Sequence, residues 1–196
     1  MLGEWSSAKY SIDEVVYGND NWTGDTDHSG WFMIGWDWNN LYIGAYVRDT
    51  VYVQNAAGDQ LYKGDSVEVL LDANLLGDYS LAELSADDYQ IGLSPGKPSI
   101  SVVPEAFVWF PHSKTGGSTD VKVDARATDE GYVVEASIAW KLFGISPAGG
   151  QRYGFCLSSS DNDKVGENVQ QSMVSNVSTR WLTNPMTWGN LILSSP

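Results

Sequence analysis

Short apolar runs, each closed by a turn signal, dominate this chain of 196 residues and leave little room for anything but β-structure. Residues 31–37 and 41–47 are aromatic-rich runs on either side of Asn39-Asn40, a hairpin pattern. In Ser66-Val67-Glu68-Val69-Leu70-Leu71 the side chains of a strand alternate, so Val67 and Val69 share one face and Glu68 shares the other with Ser66 and Leu70. Residues 89–93, 107–110, 153–158 and 188–193 read as further strands. Residues 121–127 and 132–138 form a pair around the turn Asp129-Glu130-Gly131. Helical periodicity is confined to two single turns, one within residues 75–84 and one over 139–144, the latter ended by Gly144 and Pro147. The pattern predicts an all-β, jelly-roll-like β-sandwich of two antiparallel sheets, with residues 1–196 as a single domain. Gly116-Gly117-Ser118 and Ala148-Gly149-Gly150 read as loops inside it.

Charge narrows the partners. With 25 acids against 11 bases the formal net charge is −14. Such a surface repels nucleic acid and anionic membranes and suits neutral ligands or bound cations. No stretch approaches the roughly 18 apolar residues of a membrane span. Residues 1–10 lack the charged start and apolar run of a signal peptide, and the chain reads as a piece of a longer protein. The single Cys156 has no partner for a disulfide, and its strand-like neighbours predict a buried, inert thiol. Nine tryptophans and ten tyrosines suit a β-sandwich core and a sugar-stacking platform alike.

Few residues are arranged for catalysis. His28 and His112 are the only histidines, no metalloprotease, serine-hydrolase or phosphate-loop pattern occurs, and both histidines are expected to be solvated in loops. Hydrolysis of a glycosidic bond needs two carboxylates. Glu68, Asp87, Asp88 and Glu135 are the candidates, and the sequence sets no second acid opposite Glu68. For metals, Asp161-Asn162-Asp163 followed by Gly166 and Glu167 supplies hard oxygen donors around a glycine turn, the chemistry of Ca²⁺, with Asp161 and Asp163 as ligands. The twelfth position holds Ser172, so the full EF-hand pattern is missing. Asp20, Asp25 and Asp27 form a second acidic cluster.

Taken in order, several motifs resemble the family 9 carbohydrate-binding modules and their DOMON-like relatives. They are Trp36-Asp37 before Leu41-Tyr42-Ile43, the run from Tyr62 through Asp65-Ser66-Val67-Glu68 to Asp72, and Asp87-Asp88-Tyr89-Gln90. Gly131-Tyr132 through Glu135 to Trp140 follows, then Trp181 to Pro185, then Trp188-Gly189-Asn190-Leu191. The resemblance implies a non-catalytic module that clamps a sugar between Tyr62 and Trp181, with Glu68 and Gln90 holding its hydroxyls. It also implies a setting outside the cell or at its surface, as an appendage of a polysaccharide-degrading protein. A pyranose presents a C–H face that stacks on an aromatic ring, and a carboxylate orients its hydroxyls. Two departures stand out: Tyr62 replaces a usual tryptophan, and Gly92 lies where the family has a basic residue. DOMON-like relatives also imply a second reading, a haem-binding electron-transfer domain, with Met173 as the candidate axial ligand. A third is a structural sandwich without a glycan ligand, which would bury the clamp aromatics.

Overall fold

The computed structural model describes residues 2–194. Twelve strands follow in order: β1 (Tyr10–Ile12), β2 (Glu14–Tyr17), β3 (His28–Trp36), β4 (Asn40–Asp49), β5 (Ser66–Asp72), β6 (Asp88–Ser94), β7 (Glu105–Phe110), β8 (Val121–Thr128), β9 (Gly131–Ala139), β10 (Arg152–Asp161), β11 (Ser172–Ser175) and β12 (Gly189–Ile192). One sheet has the order β1-β3-β4-β9-β8. The other runs β2-β11-β10-β5-β6-β7, with β12 also on β10, and the pairings in both are antiparallel. This is the expected two-sheet sandwich. The single helical turn α1 (Trp140–Phe143) lies where it was expected and stops at Gly144, whose φ of 69° is left-handed. Residues 75–84 hold turns and bends and no helix, contrary to expectation. The short β1, β2 and β11 carry too few alternations to be seen in sequence.

Alternation builds the core directly. Val67, Val69 and Leu71 of β5, with Ile91, Leu93 and Leu157, face Ile43, Ala45, Val47, Val134, Ala136 and Ile138 across the sandwich. Each of the Val, Leu and Ile side chains among them contributes about 1.5–3 kcal/mol when fully buried. Glu68 and Leu70 point to the opposite face, as the strand pattern requires, yet every residue of β5 is buried. The cause is the segment 176–188, which closes over that outer face. Its Trp188 packs on Leu70 and Cys156 in a small second cluster, flanked by Val177, Leu182 and Leu84. Cys156 is the expected buried free thiol. Burial raises its pKa, and its Sγ lies 3.0 Å from Ser175 Oγ.

One edge of β10 is divided. Residues Arg152 to Phe155 pair with β12, and Ser158 to Asp161 pair with β11. Between them Leu157 N donates to Asn176 Oδ1 at 2.8 Å, and Asn176 N donates back to Leu157 O at 3.0 Å. The chain leaves the sheet there and returns at β12, carrying Arg180 and Trp181 on the excursion.

Candidate carbohydrate-binding cleft

The outer face of the larger sheet holds a cleft of about 470 Å³ lined by Val16, Tyr17, Tyr62, Glu68, Gln90, Trp109, Gln170, Met173, Arg180, Trp181 and Leu182. All four residues named from the sequence for sugar binding, Tyr62, Glu68, Gln90 and Trp181, therefore line one cavity. Tyr62 sits on a 3-10 turn, Gly58–Lys63, anchored by the fully buried Leu61. Trp181 is 68% exposed, so a role in the core is ruled out. Its backbone is nonetheless fixed. Trp181 N donates to Thr187 Oγ1 at 2.9 Å, and Trp181 O accepts from Trp188 Nε1 at 3.1 Å.

The floor is a charge-neutral hydrogen-bonded chain. Gln90 Nε2 donates to Glu68 Oε2 at 2.7 Å, and the Arg180 guanidinium donates to Glu68 Oε1 in an ion pair whose side chains are each 7% exposed. Arg180 Nε is buried and unpartnered. Sequence reasoning missed Arg180, which supplies from the far loop the cation that the motif pattern sought at Gly92. At Gly92 itself a Cβ would lie 2.4 Å from Trp109 Cη2 and 2.6 Å from Leu61 Cδ1. The missing side chain makes room for the Trp109 indole, which sits edge-on to Tyr62 with ring centroids 6.0 Å apart. Trp109 was also missed. The signal lay in the alternation of Phe107-Val108-Trp109, since Val108 faces the core and its neighbours cannot.

Glu68 is the one carboxylate in this lining, and both stereochemical routes of glycoside hydrolysis use two. Met173 is there too, but no histidine lines the cleft with it. His28 is fully buried at the start of β3, contrary to the expected solvated loop. Its Nε2 lies 2.9 Å from Ser159 Oγ, and desolvation lowers its pKa to about 4. His112 is exposed, as expected. A second depression, about 550 Å³, lies on the outer face of the smaller sheet beneath Trp5. There Trp5 Nε1 is already committed to Glu135 Oε1, at 3.1 Å, and the cavity shares no residue with the clamp.

Asp161 and Asp163 converge with Asp49 from the end of β4, with one ligand atom from each lying within 4.8 Å of the others. Asp49 Oδ2, Asp161 Oδ1 and Asp163 Oδ1 are buried without hydrogen-bond partners. Burial and the adjacent Asp163 carboxylate push Asp161 up to about 7, and burial raises Asp49 and Asp163 as well. Three orphaned acceptors that resist ionisation are a donor set that fits a hard cation. Of the remaining acids in the two sequence clusters, Asp27 is buried close by, while Asp20, Asp25 and Glu167 are exposed. In a second trio, Asp72, Asp78 and Asp87, one ligand atom from each likewise lies within 4.8 Å of the others.

A two-sheet sandwich that presents exposed aromatic rings over a buried polar floor suits the class of carbohydrate-binding modules. Within that class, the sequence profile described as carbohydrate family 9 binding domain-like matches residues 3–195, and the chain belongs to that family. It is a non-catalytic carbohydrate-binding domain. It is 29% identical over 159 residues to endo-1,4-beta-xylanase A of Thermotoga maritima, and 28% identical over 158 residues to the enzyme of the same name from Thermotoga neapolitana. Each alignment covers 81% of this chain but only 13% of the xylanase, so the chain spans a small fraction of those relatives. Among solved structures it is similar to a family 9 module from Caldicellulosiruptor kristjanssonii in complex with cellotriose. The TM-score is 0.72 at 21% identity, covering 97% of this chain and 84% of the other. The same organism's module in complex with glucose gives a TM-score of 0.66 at 21% identity, with 98% and 93% covered.

Proposed function

We propose that this domain holds a pyranose unit of a neutral β-linked plant polysaccharide, a glucan or xylan, between Tyr62 and Trp181. Glu68, Gln90 and Arg180 orient its hydroxyls. The observation that carries this reading is Trp181, a large ring left 68% exposed yet stapled at its backbone, beside a floor whose one carboxylate is already neutralised by Arg180. An uncharged ligand suits a floor with no net charge. The C–H face of a sugar covers the exposed ring, and the free Oε1 of Gln90 is an acceptor that a hydroxyl would satisfy. The relatives agree with the ligand class: similar structures hold glucose and cellotriose, and curated relatives are xylanases. The domain then works outside the cell or at its surface, attached to further domains, and raises the local concentration of a polysaccharide-degrading partner on its substrate. Ca²⁺ at Asp49, Asp161 and Asp163 serves as a structural ion tying β4 to the loop after β10. Isothermal calorimetry with glucose, xylose and their β-1,4-linked oligomers tests the clamp. Saturable binding that is weakened in Trp181→Ala is expected, and the absence of binding to both series would overturn the reading.

A further inference from the structure

The outer face of the smaller sheet, turned away from the clamp, carries a polar cavity of its own. Two adjacent rows of residues cross it in register: Met33, Gly44, Glu135 and Asp124, then Gly35, Tyr42, Ser137 and Lys122. Each row has a glycine, and Trp5 lies over both. A Cβ at Gly44 would be 3.0 Å from Trp5 Cε2, and one at Gly35 would be 3.8 Å from Trp5 Cζ3. The indole thus rests on bare backbone, half-buried, and its Nε1 donates to Glu135 Oε1 at 3.1 Å. The space of about 550 Å³ beneath it is bounded by the ring, Tyr42, Lys122, Asp124, Glu135 and Ser137. Packing does not account for the charges there. Asp124 on the edge strand β8 stands directly across from Glu135 on β9, and like charges so placed destabilise an antiparallel pair. Lys122 and Arg126 share the face of β8 with Asp124, yet neither bridges the two acids. The salt bridges among the described residues are Arg48–Glu130, Lys141–Asp120 and Arg180–Glu68. Asp124 accepts from Ala125 N through Oδ1 and Glu135 from Trp5 through Oε1, so among the described residues one oxygen of each carboxylate has no donor.

We infer that this cavity is a second carbohydrate site, in which a neutral pyranose packs against Trp5, Asp124 and Glu135 accept from its hydroxyls, and Lys122 donates to them. The inference takes its ligand class from the clamp reading and shares no residue with that site. A hydroxyl both donates and accepts, so a sugar uses the two carboxylates and the ammonium alike. An anion would meet two carboxylates, and a cation would meet Lys122. Hydroxyl donors placed between Asp124 and Glu135 also offset their repulsion. With sites on opposite outer faces, one domain holds two glycan chains at once, and its retention on a polymer exceeds that of either site alone.

Titration with cellobiose and xylobiose, followed by two-dimensional NMR, tests this because each face reports separately. Trp181→Ala weakens the clamp and leaves the smaller sheet untouched. In that variant the Trp5 indole N–H and the amides of β8 and β9 should still shift and saturate. Asp124→Asn removes the like-charge pair, so its melting temperature should hold or rise, while affinity at this face should fall roughly tenfold, the scale of one hydrogen bond to a charged group. Shifts confined to the surroundings of Tyr62 and Trp181 in the unaltered domain would overturn the second site and leave the clamp standing. Shifts on β8 and β9 whose affinity is unchanged in Asp124→Asn would overturn the assignment to this cavity. Shifts at Trp5 with the larger sheet silent would sink the clamp and leave the second site standing.

Discussion

Arg180 and Glu68, separated by 112 positions in the chain, form a buried ion pair directly beside the exposed ring of Trp181. The pair fixes the loop that carries the platform to the middle of β5. Its value is greatest where it is hardest to replace. Removing one member leaves a charge in a site that is 7% exposed, at a cost of about 3–5 kcal/mol. Arg180→Met should therefore lower the urea midpoint substantially. The double change Arg180→Met with Glu68→Leu should recover most of the loss while sugar binding stays absent. Chemical unfolding alongside calorimetry reads both, and a double variant no more stable than Arg180→Met would contradict this account.

Trp181→Ala should behave in the opposite way. The ring is mostly in solvent, so melting should move little. Losing its stacking surface should cost about 1–3 kcal/mol of binding, or roughly one to two orders of magnitude in affinity. A large fall in melting temperature with affinity intact would show that the ring supports the fold instead.

Metal and pH should be linked. Asp161 ionises at about 7 in the folded protein, and Asp49 and Asp163 are raised as well, so each binds its proton more tightly folded than unfolded. Their stabilising contribution is complete below the ordinary carboxylate range near 4 and is lost as each group ionises, for Asp161 as pH rises through about 7. With chelator present, the melting temperature should therefore fall between about pH 5 and pH 8. Ca²⁺ takes up the deprotonated carboxylates, so it should restore stability and do so more at the higher pH. Differential scanning calorimetry at both values, with and without Ca²⁺, is the measurement. An equal or absent Ca²⁺ effect at the two would argue against this donor set.

Gly92→Ala should disturb the cleft by steric overlap, with the polar floor of Glu68, Gln90 and Arg180 left in place. The added methyl meets Trp109 Cη2 at 2.4 Å and Leu61 Cδ1 at 2.6 Å. Overpacking of this kind costs about 1–3 kcal/mol. The indole must tilt away from Tyr62, so tryptophan fluorescence should change together with stability. An unperturbed spectrum would mean that Trp109 does not rest on this glycine.

Much of the fold could be read from residues because a strand announces itself locally. Val67 and Val69 face inward and Glu68 outward for a reason contained in three adjacent positions. The paired runs of β3 and β4 likewise sit either side of Asn39. Trp181 could be placed in a loop from its polar neighbours. Other features depend on partners distant in sequence. Arg180 looks like one more polar residue until the closing segment lays it on Glu68. Asp49 gives no hint in its own strand that Asp161 and Asp163 will meet it. His28 was expected in solvent because a lone histidine carries no periodic signal, and only the sandwich shows that it caps the core. Gly92 read as a missing cation, whereas its meaning is steric and is supplied by Trp109 on the neighbouring strand.

The divided edge of β10 has a consequence for how such a domain can change. The segment bearing Arg180 and Trp181 departs where β11 ends and rejoins where β12 begins, and both flanking strands pair with the same β10. Lengthening or rewriting the excursion therefore shifts no register elsewhere, since the two anchor points keep their partners whatever lies between them. Of the proposed clamp, one half rides on an excursion whose strand anchors stay fixed, while the other half, at Tyr62, is held by the core through Leu61. Variation in which glycan is preferred can accumulate on one side alone.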